Sequence, residues 1–268
     1  MSIENNISSI AIGSFDGIHL AHQQLIAKAE AIVVIERGIG SITAGYKRAL
    51  YTTKPIFFYH FNNIKELSPK EFIEMLNYDF PNLKKIVVGY DFVFGKNKQG
   101  DTKTLKKLFS NSVDVVDEIK YNNISIHTRV IKDYLKQGDI STSNRLLGRR
   151  YTIDGDIVKG QGLGAKELVA TLNLTIQEYQ LPKDGVYATY TMIDKKRYRS
   201  VSFIGHRVTT DGSFAVETHL LDTTLSNTPK SATIEFVEFI RDNMKFDKLE
   251  ELKAQIELDI DKCFRILV

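Results

Sequence analysis

The sequence predicts two domains of different class: a doubly wound α/β domain with a parallel sheet over residues 1–147, and an antiparallel β-barrel with a terminal helix over 148–268. Three observations predict it. Short apolar runs alternate with helical segments up to about Gly148, as in a parallel-sheet domain. From Tyr151 onward strand-like segments follow one another with almost no helix between them. The last twenty or so residues, from Asp247, return to helical periodicity and strong helix formers. A chain of 268 residues is long enough for two such domains, each with its own core.

The elements follow in order. Ile7 to Ile12 is a short β-branched run that reads as a buried parallel strand, and GSFDGIHLAHQQL reads as a glycine-containing turn opening a helix. Asp16 is the expected cap of that helix, with Gly17 easing the turn. Ala31 to Glu36 and Pro55 to Phe61 read as the second and third strands. Ser68, Pro69 and Glu71 predict a helix start with proline at the first position and a capping box. KKIVVG reads as a further buried strand, DTKTLKKLFS as a short helix, and SVDVVDEI and NISIHTRV as strands. A helical piece lies around Ile131 to Leu147. In the second half, YTIDGDIVKG, GVYATYTMI, YRSVSFIG, SFAVETHLL and SATIEFVEFI read as strands, with Asp211-Gly212 as a hairpin turn before SFAVETHLL.

Composition narrows the function classes. The hydrophobic share is 43% and the charged share 26%, ordinary globular values. No apolar run approaches the roughly 18 residues of a membrane span, and MSIENNISS lacks the features of a signal peptide. A single cysteine, Cys263, excludes an internal disulfide and a cysteine-based zinc site. A net charge of +3, with lysines interspersed among acids, is not the basic stripe of a nucleic-acid binder. The expectation is a cytoplasmic protein that acts on small molecules, without nucleic acid or membrane as partner.

Two constellations carry chemistry. In the first half, His19 and His22 are three apart at a helix start and so share a face. Free N–H groups and the positive dipole end lie there, so two imidazoles beside them can grip a triphosphate and stabilise charge at its α-phosphorus. Taken alone, the pair also reads as two surface histidines; a zinc site lacks a third ligand. In the second half, Gly160, Gly162 and Gly164 form a glycine-rich stretch whose N–H groups can bind phosphate, or which serves only as a flexible loop. Gly160, Gly162 and Ala165 fit a dinucleotide fingerprint in spacing, but no long helix follows. Thr171 and Asn173 are two apart on an extended segment and point the same way. Their hydroxyl and amide oxygens are hard ligands that suit Mg²⁺ with ATP phosphates. Phe214, Val216, Thr218 and Leu220 are expected on one face of their strand, with Glu217 and His219 on the other.

GSFDGIHLAHQ resembles the signature GxFDGxHxGHQ of the FMN adenylyltransferase domain in prokaryotic bifunctional FAD synthetases, a member of the nucleotidylyltransferase superfamily. VVGYDFVFGKNKQGD, Val87 to Asp101, resembles the flavin-side motif of the same family. The resemblance implies that Gly13, Ser14, Phe15, Asp16 and Gly17 bind ATP beside His19 and His22, and that Asp91, Phe92 and Phe94 serve the flavin. The family's ISSTxIR segment appears as IHTRVIK, where Thr128, Arg129 and Lys132, with His127, offer donors and positive charge to ATP. Departures are Ala21 for glycine, and PIFFYHF where the family has TFxPHP.

In the second half GQGLGAKELVATLNL resembles the riboflavin kinase motif ending in PTANL, with Ala170 for the proline and Leu172 for the alanine. By that resemblance Gly160, Gly162 and Gly164 cover the ATP phosphates, and Thr171 and Asn173 bind ATP and the metal. GVYATY, FIGHRVTTDG (with Val208 at a proline position), VETHLLD and the C-terminal FIRDNMKFDKLEELKAQIELD resemble further family blocks in the same order. The resemblance makes Glu217 the general base for the riboflavin 5′-hydroxyl. It implies riboflavin phosphorylation to FMN and adenylylation of FMN to FAD, with ATP and Mg²⁺ for both. The alternatives are a riboflavin kinase with an inactive first domain, and a non-catalytic flavin or nucleotide sensor.

Overall fold

The computed structural model describes residues 6–38, 41–159, 169–209, 211–223, 225 and 227–267. They form two compact units, one reaching Thr128 and the other running from Arg129.

The first unit is a five-stranded parallel sheet in the order β3-β2-β1-β4-β5. Its strands are β1 (Ser9–Gly13), β2 (Ala31–Glu36), β3 (Ile56–His60), β4 (Lys85–Gly89) and β5 (Ser112–Val116). Helices α1 (Leu20–Ala27), α2 (Phe61–Ile64), α3 (Pro69–Asp79) and α4 (Thr102–Leu108) connect them. The strands are short apolar runs because both faces are covered. Ile10, Ile12, Val33, Ile86 and Val88 meet Phe72 and Leu76 of α3, together with Phe80 and Leu105. The alternate residues Ala11, Ile32, Val34 and Val87 meet Phe15, Ile18, Leu25 and Ile26 on the opposite face. The capping box at α3 forms as the sequence predicts: Glu71 N donates to Ser68 Oγ and Ser68 N to Glu71 Oε2. The connection from β2 to β3 holds a 3₁₀ turn over Gly45–Tyr51, braced by the buried Arg48, which donates to Glu36 Oε2 at 2.7 Å.

One expected strand is corrected. NISIHTRV yields only β7 (Ile124–Ser125), paired with β6 (Lys120–Tyr121), and helix α5 (Thr128–Gln137) begins at its threonine. Two residues suffice for that small hairpin, and the strand pattern is then cut short by the helix.

The second unit contains most of α5, helix α6 (Ile140–Leu147) and a closed barrel in the order β10-β11-β12-β9-β8-β13. Its strands are β8 (Thr152–Val158), β9 (Leu172–Thr175), β10 (Gly185–Ile193), β11 (Lys196–His206), β12 (Phe214–Leu220) and β13 (Ser231–Arg241), all antiparallel to their neighbours. Closure leaves no free sheet edge. Helix α7 (Leu249–Ile266) covers Val186, Ala188 and Ile240 with Cys263, and Leu267 follows in the same cluster.

The face of β12 that carries Phe214, Val216, Thr218 and Leu220 is buried along most of its length. Val216, Thr218 and Leu220 are buried, but Phe214 is 46% exposed, its ring packed edge-on against His206. Thr218 joins Thr189, Thr191, Ser200 and Ser202 in a buried hydroxyl cluster with contacts of 2.8–2.9 Å. Each hydroxyl both donates and accepts, so a barrel can bury five of them without leaving orphans. Asp211-Gly212 lies in the hairpin turn between β11 and β12, as expected: Arg207 N donates to Ser213 O at 2.9 Å, Gly212 N to Arg207 O at 3.1 Å, and Asp211 accepts from Ser213.

Candidate functional site

In the first unit, the segment between β1 and α1 makes a turn under backbone tension. Phe15 and Ile18 take positive φ of 46° and 37°, unusual for large side chains, and Gly17 takes 95°. Gly13 ends β1 and Ser14 follows it, both half-buried. Phe15 is wholly buried and pays for its conformation by core packing, its ring also 5.1 Å from that of His22. Asp16 is not the helix cap. Its buried carboxylate accepts from Ile42 N at 2.7 Å and Thr43 N at 2.9 Å, tying the turn to a distant segment. The cap is His19, whose Nδ1 accepts from His22 N at 3.3 Å. The two imidazoles stack with centroids 3.6 Å apart and planes within 15°, on the shared face that their spacing predicts. His19 is buried and His22 half-buried.

Thr128 reaches this turn, its hydroxyl donating to Asp16 O at 2.8 Å. Arg129, exposed, and Lys132, half-buried, follow on α5 within the second unit. In the segment after β4, Asp91 is exposed and stands 3.8 Å from His127 Nδ1, while His127 Nε2 meets the Tyr90 hydroxyl at 3.1 Å. Phe92 and Phe94 stack at 5.5 Å. Phe94 is a core residue: it is buried, packs on Phe72 and lies over Gly100, where an added Cβ would meet its ring at 2.6 Å. Phe92 is half-buried beside it.

In the barrel, Thr171, Asn173 and Glu217 line one cavity of about 470 Å³. Glu217 and Asn173 are register partners across β12 and β9. His219 Nδ1 donates to Ala170 O at 2.7 Å and thereby holds the approach to Thr171. Gly160, Gly162 and Gly164 lie outside the described residues. Met244, Phe246, Leu252 and Ile256 line the same cavity and add apolar surface suited to a flat aromatic ligand.

Two arginines at this cavity escape a reading by pattern. Arg207 Nε donates to Glu217 Oε1 at 2.7 Å, its Nη2 to Asn173 Oδ1 at 2.6 Å and its Nη1 to Ser213 Oγ at 2.8 Å. Arg241, at the end of β13, forks onto the buried Asp259 of α7 at 2.7–3.0 Å. Both stand in blocks with family resemblance, FIGHRV and FIRDN, which is the signal that could have singled them out.

Comparison with known proteins decides the family. The riboflavin kinase family model matches residues 147–267, and the FAD synthetase model matches 49–130. The bifunctional riboflavin kinase/FMN adenylyltransferase of Buchnera aphidicola subsp. Acyrthosiphon pisum is 30% identical over 96% of this chain and 92% of its own. The chain belongs to the bifunctional riboflavin kinase/FMN adenylyltransferase family. The Pseudomonas fluorescens protein of the same description is 28% identical over 93% of this chain and 89% of its own. A solved structure described as a macrolide-efflux protein from Streptococcus pneumoniae matches with a TM-score of 0.85 at 25% identity, covering 97% of this chain and 94% of that one. No helix among the described residues of this riboflavin kinase/FMN adenylyltransferase family member is long and apolar enough to cross a membrane.

Proposed function

We propose that the two reactions of the family are divided between two sites: residues 148–268 phosphorylate riboflavin around Thr171, Asn173 and Glu217, and residues 1–147 adenylylate FMN around His19 and His22. The chain is an ATP-using transferase of both kinds, acting on riboflavin and FMN, as its family membership states. The single observation that carries the assignment is the meeting of Thr171, Asn173 and Glu217 at one cavity, with Asn173 and Glu217 side by side on adjacent strands.

The donor set suits magnesium. Thr171 and Asn173 offer two neutral oxygens, and among the described residues no cluster of three His, Cys, Asp or Glu could hold a metal alone. Such a pair fits an ion that arrives with phosphates and keeps waters. Bound there, Mg²⁺ offsets the charge of the β- and γ-phosphates. Glu217 takes the proton of the riboflavin 5′-hydroxyl; that oxygen bonds to the γ-phosphorus as the bond to the ADP oxygen breaks, giving FMN and ADP.

In the α/β unit, an FMN phosphate oxygen bonds to the α-phosphorus of a second ATP and pyrophosphate leaves, giving FAD. His19 and His22, with the N–H groups at the start of α1, stabilise the charge on that phosphorus. Gly13 to Gly17 form the turn around the nucleotide, and Thr128 adds a donor. Asp91 and Phe92 serve the flavin, with Phe94 supporting Phe92 from the core. Both steps rest on positioning and charge neutralisation. With one cysteine and no other sign of an oxidising setting, the reading is of a cytoplasmic enzyme.

The test is incubation with riboflavin, ATP and Mg²⁺, followed by separation of the flavins. FMN and then FAD are expected, both lost with chelator. FMN without FAD, even when FMN is supplied, would leave only the barrel active.

A further inference from the structure

We propose that Arg207 is a catalytic residue of riboflavin phosphorylation, its guanidinium neutralising the γ-phosphoryl group as it passes from ADP to the 5′-oxygen. The inference rests on the assignment of Glu217 as base and Asn173 as metal-side ligand.

The position of the guanidinium carries the argument. In any transfer at this cavity, the γ-phosphorus must lie between the metal-bound phosphate oxygens at Thr171 and Asn173 and the hydroxyl that gives its proton to Glu217. Arg207 bonds to Asn173 Oδ1 at 2.6 Å and to Glu217 Oε1 at 2.7 Å, so it borders that space from the side. Its arm is held at the rim. Arg207 N donates to Ser213 O at 2.9 Å and Gly212 N to Arg207 O at 3.1 Å, while Nη1 donates to Ser213 Oγ. Ser213 is in turn fixed on Asp211.

Charge supplies the second half. Asn173 Oδ1 has two lone pairs and can serve a metal while accepting from Arg207. A guanidinium and a divalent ion on the same oxygen repel strongly unless an anion lies between them. The γ-phosphoryl group is the anion that fits. Its three equatorial oxygens carry the charge of a loose transition state, and a guanidinium fork matches two of them. Arg207 touches only Oε1 of the Glu217 carboxylate, so it does not block Oε2 from the hydroxyl proton.

Two measurements test this. Arg207→Ala should lower kcat for FMN formation by about 10³-fold, with Arg207→Lys recovering part of the loss. FAD formation from added FMN should be unchanged in both variants, and a parent-like far-UV circular dichroism spectrum and urea midpoint report that the barrel folds. The second measurement follows the arginine Nε–H resonance that disappears in Arg207→Lys, in protein labelled with ¹⁵N-arginine. It should shift on adding Mg²⁺ with a non-hydrolysable ATP analogue and much less with Mg²⁺ and ADP, because only the analogue has a γ-phosphate. A residue that merely braces Asn173 and Glu217 would respond equally to both. An equal or absent shift, or a kcat within about threefold of the parent, overturns the proposal. If Glu217→Gln is inactive in that event, the site assignment stands and only Arg207 is misassigned. If Glu217→Gln still forms FMN, the site assignment itself fails.

Discussion

Glu217 and Asn173 are register partners on β12 and β9, and the Arg207 guanidinium bonds to both. The base proposed for the hydroxyl proton and the ligand proposed for the metal are thus fixed to one another by the barrel ladder, not by flexible loops. Sites built on such elements hold their geometry closely.

Glu217→Gln keeps the shape and removes the proton acceptor. FMN formation should fall by about 10²–10⁴-fold, while FAD formation from supplied FMN should persist. Separating the flavins after incubation checks both. Loss of both activities in folded protein would contradict two independent sites.

His22→Ala removes one of the stacked imidazoles at the start of α1 and should give the converse. Adenylylation should fall by about 10²–10³-fold, with riboflavin phosphorylation untouched. Because His19 caps the helix through its own Nδ1, the turn is expected to survive in His22→Ala. Far-UV circular dichroism alongside the assay checks that point.

Phe94 and Gly100 predict a stability effect distinct from flavin affinity. Gly100→Ala would drive a Cβ into the Phe94 ring at 2.6 Å and should cost about 1–3 kcal/mol. Phe94→Ala, by leaving a cavity beside Phe72, should cost about 3–5 kcal/mol. Urea unfolding measures both. A Phe94→Ala protein with unchanged stability and weakened FMN binding would make Phe94 a ligand residue rather than a core one.

Cys263 predicts an alkaline effect. Burial, and then the neighbouring Asp259 carboxylate, push its thiol up to about 12. The folded state therefore favours the protonated thiol. This contribution to stability is complete below the unfolded value near 9 and is lost as pH rises from there toward 12. An aromatic disulfide reagent should not label native protein at about pH 8, and labelling should track unfolding. In Cys263→Ala the fall in urea midpoint above about pH 9 should be smaller than in the parent. Rapid labelling of native protein would contradict the burial.

Much of this was legible in the chain because it is local. The capping box of Ser68 and Glu71 and the shared face of His19 and His22 depend on residues three apart. That Glu217 and His219 share the face of β12 opposite Val216 and Thr218 followed from period-two alternation; both line the cavity. What was missed is non-local. Asp16 reads as a helix cap, yet its carboxylate is claimed by amides 26 and 27 residues away. Phe214 shares a face by alternation with the buried Val216 and Thr218, yet it lies at the strand end beside His206 and stays exposed. Alternation puts Thr218 on one face with Val216 and Leu220, but does not show that four further hydroxyls meet it there.

By itself the amino-acid order determined the two classes of fold, since helix and strand periodicity and turn chemistry are written in neighbouring residues. Only the tertiary structure decided which charges share a site. Arg207 meets Asn173 34 residues away because barrel closure sets β9 beside β12, and no pattern along the chain encodes that register.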